Sequence, residues 1–221
     1  MTKPIRRRST SLATIATVVL AAGVVAAYTA AGAAAGRYAP TANSAASVCP
    51  SQTMVQPFQR WSDSGSYFLA PGGAFEGTLT GWTAAGGAKI VAGNESYYVN
   101  SSKDKSSLYL PNGSKATSPS ICVTTSTPDL RLFVLNTGSA SATLNVNMTY
   151  TNNKGATSTV TVASLTGKSA WSPSPQVLFL QNITPLLNSN GQTWVTFTFA
   201  PVGTSGHWQI DDFYVDPLKH Q

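Results

Sequence analysis

Histidine, cysteine and charge are all scarce in this chain. Its 221 residues include two histidines and two cysteines, and only 10% are charged, against ~25% in ordinary soluble domains. Each shortage excludes a class of chemistry. His207 and the penultimate His220 offer no metal-hydrolase spacing, and neither cysteine has a second Cys or a His at zinc-ligand distance. Ser205 lies two residues before His207 but lacks the nucleophile-elbow pattern. The only adjacent carboxylates, Asp211 and Asp212, point to opposite faces of a regular strand, so they do not form a glycosidase pair facing across a cleft. The sequence carries no catalytic constellation.

Positive charge is also scarcer than the net +6 suggests. Lys3, Arg6, Arg7, Arg8 and Arg37 flank an apolar leader. The remaining nine Lys and Arg face eight Asp and Glu and are scattered, with no stripe to follow a phosphate backbone. Nucleic acid is not an expected partner.

The leader runs from a basic stretch (residues 1–8) through the uncharged, Ala- and Val-rich residues 12–35 to small residues. That is the order of a secretory signal peptide. The apolar run also reaches the ~20 residues that span a bilayer. Leu12, Ile15, Val18, Val19, Leu20, Val24 and Val25 together favour insertion by roughly 2–4 kcal/mol, and the Gly, Thr and Tyr residues offset part of that. A cleaved signal and a retained anchor both stand, and in the second case the membrane is a partner. In either case the excess of basic residues before the run keeps the N-terminus cytoplasmic and the body outside. Residues 1–36 are thus read as signal peptide or N-terminal transmembrane helix, 37–48 as a flexible linker, and 49–217 as the folded domain.

An exported body with an even cysteine count favours a Cys49–Cys122 disulfide. It would tie the start of the domain to a strand near its middle and add about 4 kcal/mol in the chain-entropy model.

After the leader no amphipathic helix is evident, and several segments alternate with period 2. Ala142–Thr151 sets Leu144, Val146, Met148 and Tyr150 against Asn145, Asn147 and Thr149. Gln192–Phe199 sets Val195, Phe197 and Phe199 against Trp194, Thr196 and Thr198. Leu130–Leu135 is apolar enough for a central strand. Trp208–Val215 reads as a last strand with Trp208, Ile210 and Tyr214 on one face and Phe213 and Val215 on the other. Shorter candidates include Gly81–Thr83, Ala88–Val91, Tyr97–Val99, Ser107–Leu110, Ser120–Val123, Ser158–Ala163 and Val177–Leu180. Only Ile183–Leu187 suits a helical turn. Gly- and Asn-rich turns at Pro71-Gly72-Gly73, Gly86-Gly87, Pro111-Asn112-Gly113 and Asn152–Gly155 separate the strands. Such spacing predicts an all-β sandwich or barrel.

Two segments carry a recognisable pattern: Gly72-Gly73-Ala74-Phe75-Glu76 with Gly81-Trp82, and Trp208-Gln209-Ile210-Asp211-Asp212. Together they resemble the galactose-binding-like jelly rolls used as carbohydrate-binding modules. They are closer still to exported actinobacterial proteins that share the same motifs. The resemblance implies a jelly-roll β-sandwich that binds a glycan or cell-envelope polymer without catalysis, with a ligand-free structural surface protein as the alternative and a hydrolase as a third reading that would need two carboxylates across a cleft. It also implies a structural calcium held by Glu76 with Asp211 or Asp212 and carbonyls near Gly72–Ala74, since a hard cation gathers several oxygens. The other reading is that these carboxylates cap loop N–H groups. The strand after Glu76 would then lie beside the final strand. Aromatic faces stack on pyranose rings, and Tyr97, Tyr98 and Trp171 are the candidate ligand contacts, with Trp61, Trp82 and Trp194 among the further aromatics.

Overall fold

The computed structural model describes residues 48–125, 129–152 and 154–216. The leader and all but the last residue of the linker lie outside the described residues. Among the described residues no helix is long and apolar enough to cross a membrane.

Strands β1 (Phe68–Leu69), β2 (Thr83–Ala85), β3 (Lys89–Ala92), β4 (Ser106–Leu110), β5 (Lys115–Thr117) and β6 (Ile121–Thr124) come first. They are followed by β7 (Asp129–Asn136), β8 (Thr143–Thr151), β9 (Thr157–Leu165), β10 (Ser172–Pro173), β11 (Val177–Leu178), β12 (Gln192–Val202) and β13 (Trp208–Val215). A single helical turn, α1 (Leu180–Ile183), and a 3-10 turn at Thr184–Leu186 stand close to the predicted helical turn. One sheet runs β10-β7-β13-β4-β3, with β1 also on β13 and β11 also on β7. The other runs β2-β5-β12-β8-β9, with β6 also on β12. The pairings are antiparallel. The expected β-sandwich is therefore present.

Strands β8 and β12 bury the apolar faces that their alternation predicts, with Tyr150 only partly covered. Leu144, Val146 and Met148 of β8 meet Val195, Phe197 and Phe199 of β12 in one core with Leu108, Leu132, Val134, Trp208 and Ile210 of the opposing sheet. β7 is buried on both faces. Its Leu130, Leu132 and Val134 face this core, and Phe133 joins a second cluster with Phe58, Tyr67 and Tyr214. The segment before β1 thus covers the outside of the seven-stranded sheet.

The last strand departs from its predicted pattern. Its pairing with β7 shifts register between Asp211 and Tyr214, and Asp212 has φ 46°. A bulge reverses the alternation beyond it. Phe213 and Val215 therefore enter the main core with Trp208 and Ile210, and Tyr214 turns to the outer cluster. Asp211 and Asp212 do not diverge as they would in a regular strand. Both accept from one loop, Asp211 from the Glu95 N–H and Asp212 from the Asn100 N–H.

The ends of the body do meet, but through residues before Phe75 rather than after Glu76. Phe68 and Leu69 pair with Val215 and Tyr214, and Ala70 and Gly73 exchange backbone hydrogen bonds with Phe213. A Cβ on Gly73 would lie 2.8 Å from the Phe213 carbonyl oxygen, so only glycine permits this approach. Phe75 and Ile210 share the main core as expected. Trp82 is buried and donates to the Pro71 carbonyl at 2.9 Å, which makes the Gly-Gly-Ala-Phe-Glu and Gly-Trp motifs parts of one packed corner.

Cys49 and Cys122 form the expected disulfide, with Cα atoms 5.5 Å apart and 73 residues of separation. Tyr97–Val99 is not a strand. It belongs to a turn wrapped around the buried Glu95 carboxylate, which accepts the N–H groups of Tyr97 and Val99.

Candidate functional site

The outer face of the six-stranded sheet is an uncharged polar surface along its longest strands. Its side chains bond one another across strands. Thr149 meets Thr159 at 2.8 Å, Thr117 meets Thr198 at 2.8 Å, and Thr161 and Ser164 donate to Asn147 and Asn145 at 2.7 Å each. Alternation on β8 and β12 produces this face directly, because the apolar residues between these positions are committed to the core.

Where β8 ends and β12 begins, a cleft of about 490 Å³ opens beside this face. Tyr150, Asn152, Asn188, Gln192 and Trp194 line it with several threonines, and no charged residue is among the lining. Trp194 is 41% exposed. Gln192 Oε1 is buried there without a hydrogen-bond partner, an acceptor suited to a ligand hydroxyl. Trp194 pairs with Cys122 across the ladder, so the disulfide stands beside it.

The seven-stranded side gathers most of the residues singled out from the sequence. Tyr97 packs edge-on against Trp61 at 4.9 Å and donates its hydroxyl to the Trp171 carbonyl at 3.1 Å. Tyr97 and Trp171 are thus brought together, both half-buried, while the Tyr98 ring is 53% exposed. His207 stacks parallel to Tyr109 and bonds its hydroxyl through Nδ1 at 2.9 Å.

The three proposed metal ligands are engaged as follows. Glu76 Oε1 accepts the N–H groups of Lys105 and Ser106 at 2.8 Å each. Asp211 uses one oxygen for the Glu95 N–H and the other for the Asp212 N–H, both at 2.9 Å. Asp212 Oδ2 accepts from Asn100 at 3.1 Å, and its Oδ1 is buried without a hydrogen-bond partner. Among the described residues no group of three or more His, Cys, Asp or Glu stands at metal-holding geometry. Asn94 Oδ1 is likewise buried without a hydrogen-bond partner. Burial raises Asp211 to about 9, helped by the Asp212 charge, and Asp212 to about 8, helped by the Glu95 charge.

Sequence reasoning missed Glu95, on which the loop is built. A lone acid in a Gly-Asn-Glu turn carries no signal that it will be fully buried. It also missed Arg60, whose guanidinium lies 4.9 Å from the Trp61 ring centroid and 4.8 Å from that of Tyr97.

Solved structures of similar architecture exist. The xylan-binding domain of carbohydrate-binding-module family 22 is 18% identical, with a TM-score of 0.46 over 72% of this chain and 99% of that one. The CBM22-1 xylan-binding domain of Paenibacillus barcinonensis Xyn10C is 18% identical, with a TM-score of 0.45 over 66% and 91%. The family 11 module of Lic26A-Cel5E from Clostridium thermocellum is 12% identical, with a TM-score of 0.39 over 70% and 97%. At these identities no residue role passes from them to this chain. No family model and no curated protein matches the sequence.

Proposed function

We propose that the chain is an exported, non-catalytic module of the jelly-roll type that binds a neutral glycan outside the cell. The observation that carries this is the uncharged cleft with an exposed Trp194 and an unengaged Gln192 acceptor. A pyranose offers an apolar face to an indole ring and hydroxyls to amides and threonines. The disulfide suits an oxidising compartment, in keeping with the signal or anchor read from the leader. The test is affinity electrophoresis of the full chain through gels containing xylan, β-1,4-galactan or other neutral polysaccharides. Retardation that Trp194→Ala abolishes is the expected result. Free migration in every neutral glycan overturns the proposal.

A second reading, a structural calcium, is favoured by Asp212 Oδ1. Asp212 feels the charges of Glu95, Asp104 and Glu76, and a cation there would offset their repulsion. Because calcium would displace protons from carboxyls raised by burial, it should raise Tm more at pH 8 than at pH 5. A Tm indifferent to calcium and EDTA at both pH values overturns this reading.

A further inference from the structure

On the opposite side of the sandwich from the uncharged cleft, Arg60 is held as a cation with no ion pair among the described residues. Its guanidinium lies over both the Trp61 and Tyr97 rings, which fix it by cation–π attraction. The one ion pair among the described residues joins Arg131 to Asp63, and none of the described hydrogen bonds uses the Arg60 side chain. The nearby Glu95 carboxylate feels the Arg60 charge, but its oxygens are spent on the N–H groups of Tyr97 and Val99. Arg60 therefore presents a planar fork of donors, already oriented, with no partner to give up.

The neighbouring loop is built to display a ring. Glu95 and Asn100 are pinned through their N–H groups to Asp211 and Asp212. Between these anchors Tyr98 adopts φ 52°, a conformation that an aromatic residue rarely takes, and its ring stays largely in solvent. Exposing an aromatic ring on a strained backbone brings no packing gain, so the strain points to a role in binding. A pocket of about 340 Å³ opens between the chain segments next to these residues, lined by Val55, Pro57, Leu69, Val99 and Asn100.

We propose that Arg60, Trp61, Tyr97 and Tyr98 with this adjoining pocket bind a carboxylated sugar unit, such as the uronate of an acidic polysaccharide. A guanidinium held over Trp61 and Tyr97 pairs with a carboxylate through two parallel hydrogen bonds, and the exposed Tyr98 ring offers itself to the apolar face of the same sugar. The acids near the arginine favour a ligand unit with a single negative charge.

 The acids concerned are Glu95 and Asp104, the second of which acts on the first by its charge, and they would repel the second charge of a phosphate monoester.

This site is separate from the Trp194 cleft, and its test separates the two. The full chain is titrated with oligogalacturonate and with the same oligomer after its carboxyls are reduced to alcohols. Binding of the acid form at least about tenfold tighter than the reduced form is expected, as a charge-assisted pair implies. Arg60→Gln should erase that difference. Tyr98→Gly, which suits the left-handed backbone and so keeps the fold, should weaken both forms. Trp194→Ala should leave oligogalacturonate binding unchanged. Equal binding of the two oligomers, no binding of the acid form, or an Arg60→Gln variant that binds as before overturns the proposal. Binding of poly(glycerol phosphate) as tight as that of oligogalacturonate overturns the carboxylate assignment.

Discussion

The two sheets contribute to the same core, yet their outer faces have opposite fates. On the seven-stranded sheet, Phe133 and Tyr214 point outward and are covered by Phe58 and Tyr67 from the segment before β1. Polar groups there are buried and must be answered individually. Arg131 meets Asp63 and gives two further bonds to the Ser174 carbonyl, and its guanidinium lies 4.4 Å from the Phe58 ring centroid. On the six-stranded sheet the outward residues of β8 and β12 are mostly threonine and asparagine, bonded sideways and open to water. One face is therefore covered by packing, and the other stays open to water. Mutations that are costly on the first should be mild on the second.

The largest effect should come from Phe58→Ala. Phe58 is fully buried and packs on Tyr67, Phe133 and Tyr214, so its truncation should cost about 3–5 kcal/mol. Trp194→Ala, on the open face, should cost only about 0.5 kcal/mol while abolishing glycan retardation. Urea unfolding of both variants measures this, and equal losses would break the comparison.

Next is the disulfide. The segment from Cys49 to Leu69 begins on the six-stranded sheet, at Cys122 of β6, and ends on the seven-stranded sheet as β1. It therefore ties the two outer faces together. Replacing both cysteines by serine should cost about 4 kcal/mol for a loop closed over 73 residues. A loss below about 1 kcal/mol would mean that aromatic packing alone holds the segment.

The sandwich was legible in the sequence because alternation in β8 and β12 is strict and period 2 has one physical reading. The disulfide was legible because only one pairing exists. What hid the remainder was local geometry. The bulge at Asp212 requires a left-handed backbone at a non-glycine residue, and no composition rule announces it. Its consequence is large, since it exchanges the faces of Phe213 and Tyr214 and turns both aspartates to one loop. Strands β1 and β10 are two residues long and lack a period to detect. Trp194 was visible as an outward aromatic, but the cleft beside it depends on where β8 stops relative to β12. Tyr97 is a packed ring and Tyr98 an exposed one because the chain turns around Glu95 here, where the sequence suggested a strand.

The titratable groups sharpen the same contrast. Burial raises Asp129 from 3.8 to about 6, helped by the Asp216 charge, and raises Asp212 and Asp211 to about 8 and 9. In each case the folded state holds the proton more tightly than the unfolded state. Their contribution is then fully present below about pH 4 and is lost as pH rises, through about 6 for Asp129 and 8–9 for the other two. Asp63 acts oppositely. Burial pushes it up, but bonds from Arg131, the Gly65 N–H and Tyr67 outweigh this and hold it below 3.8, so its contribution fades only in strong acid. Tm should therefore decline from pH 4 to pH 9. Asp129→Asn, which imitates the protonated form, should flatten the part between pH 4 and 6, and a Tm that climbs across this range would contradict the assignment.

The smallest effect on stability, and the finest division of the open face, should come from its threonines. The Thr149 and Thr159 hydroxyls meet at 2.8 Å in an exposed pair, so water replaces the bond if either is lost. Thr149→Val and Thr159→Val keep shape and β-branching, and each should change stability by about 0.5 kcal/mol or less. Their effects on binding should differ. Thr149 lines the cleft with Trp194 and Gln192, whereas Thr159 lies one strand further out on β9. Loss of one neutral hydrogen bond to a sugar hydroxyl should weaken neutral-glycan binding by about two- to tenfold in Thr149→Val. Thr159→Val should bind as the parent does. If Thr159→Val weakens binding and Thr149→Val does not, the glycan runs across the sheet and not through the cleft, and Trp194 is then a flanking residue rather than the platform.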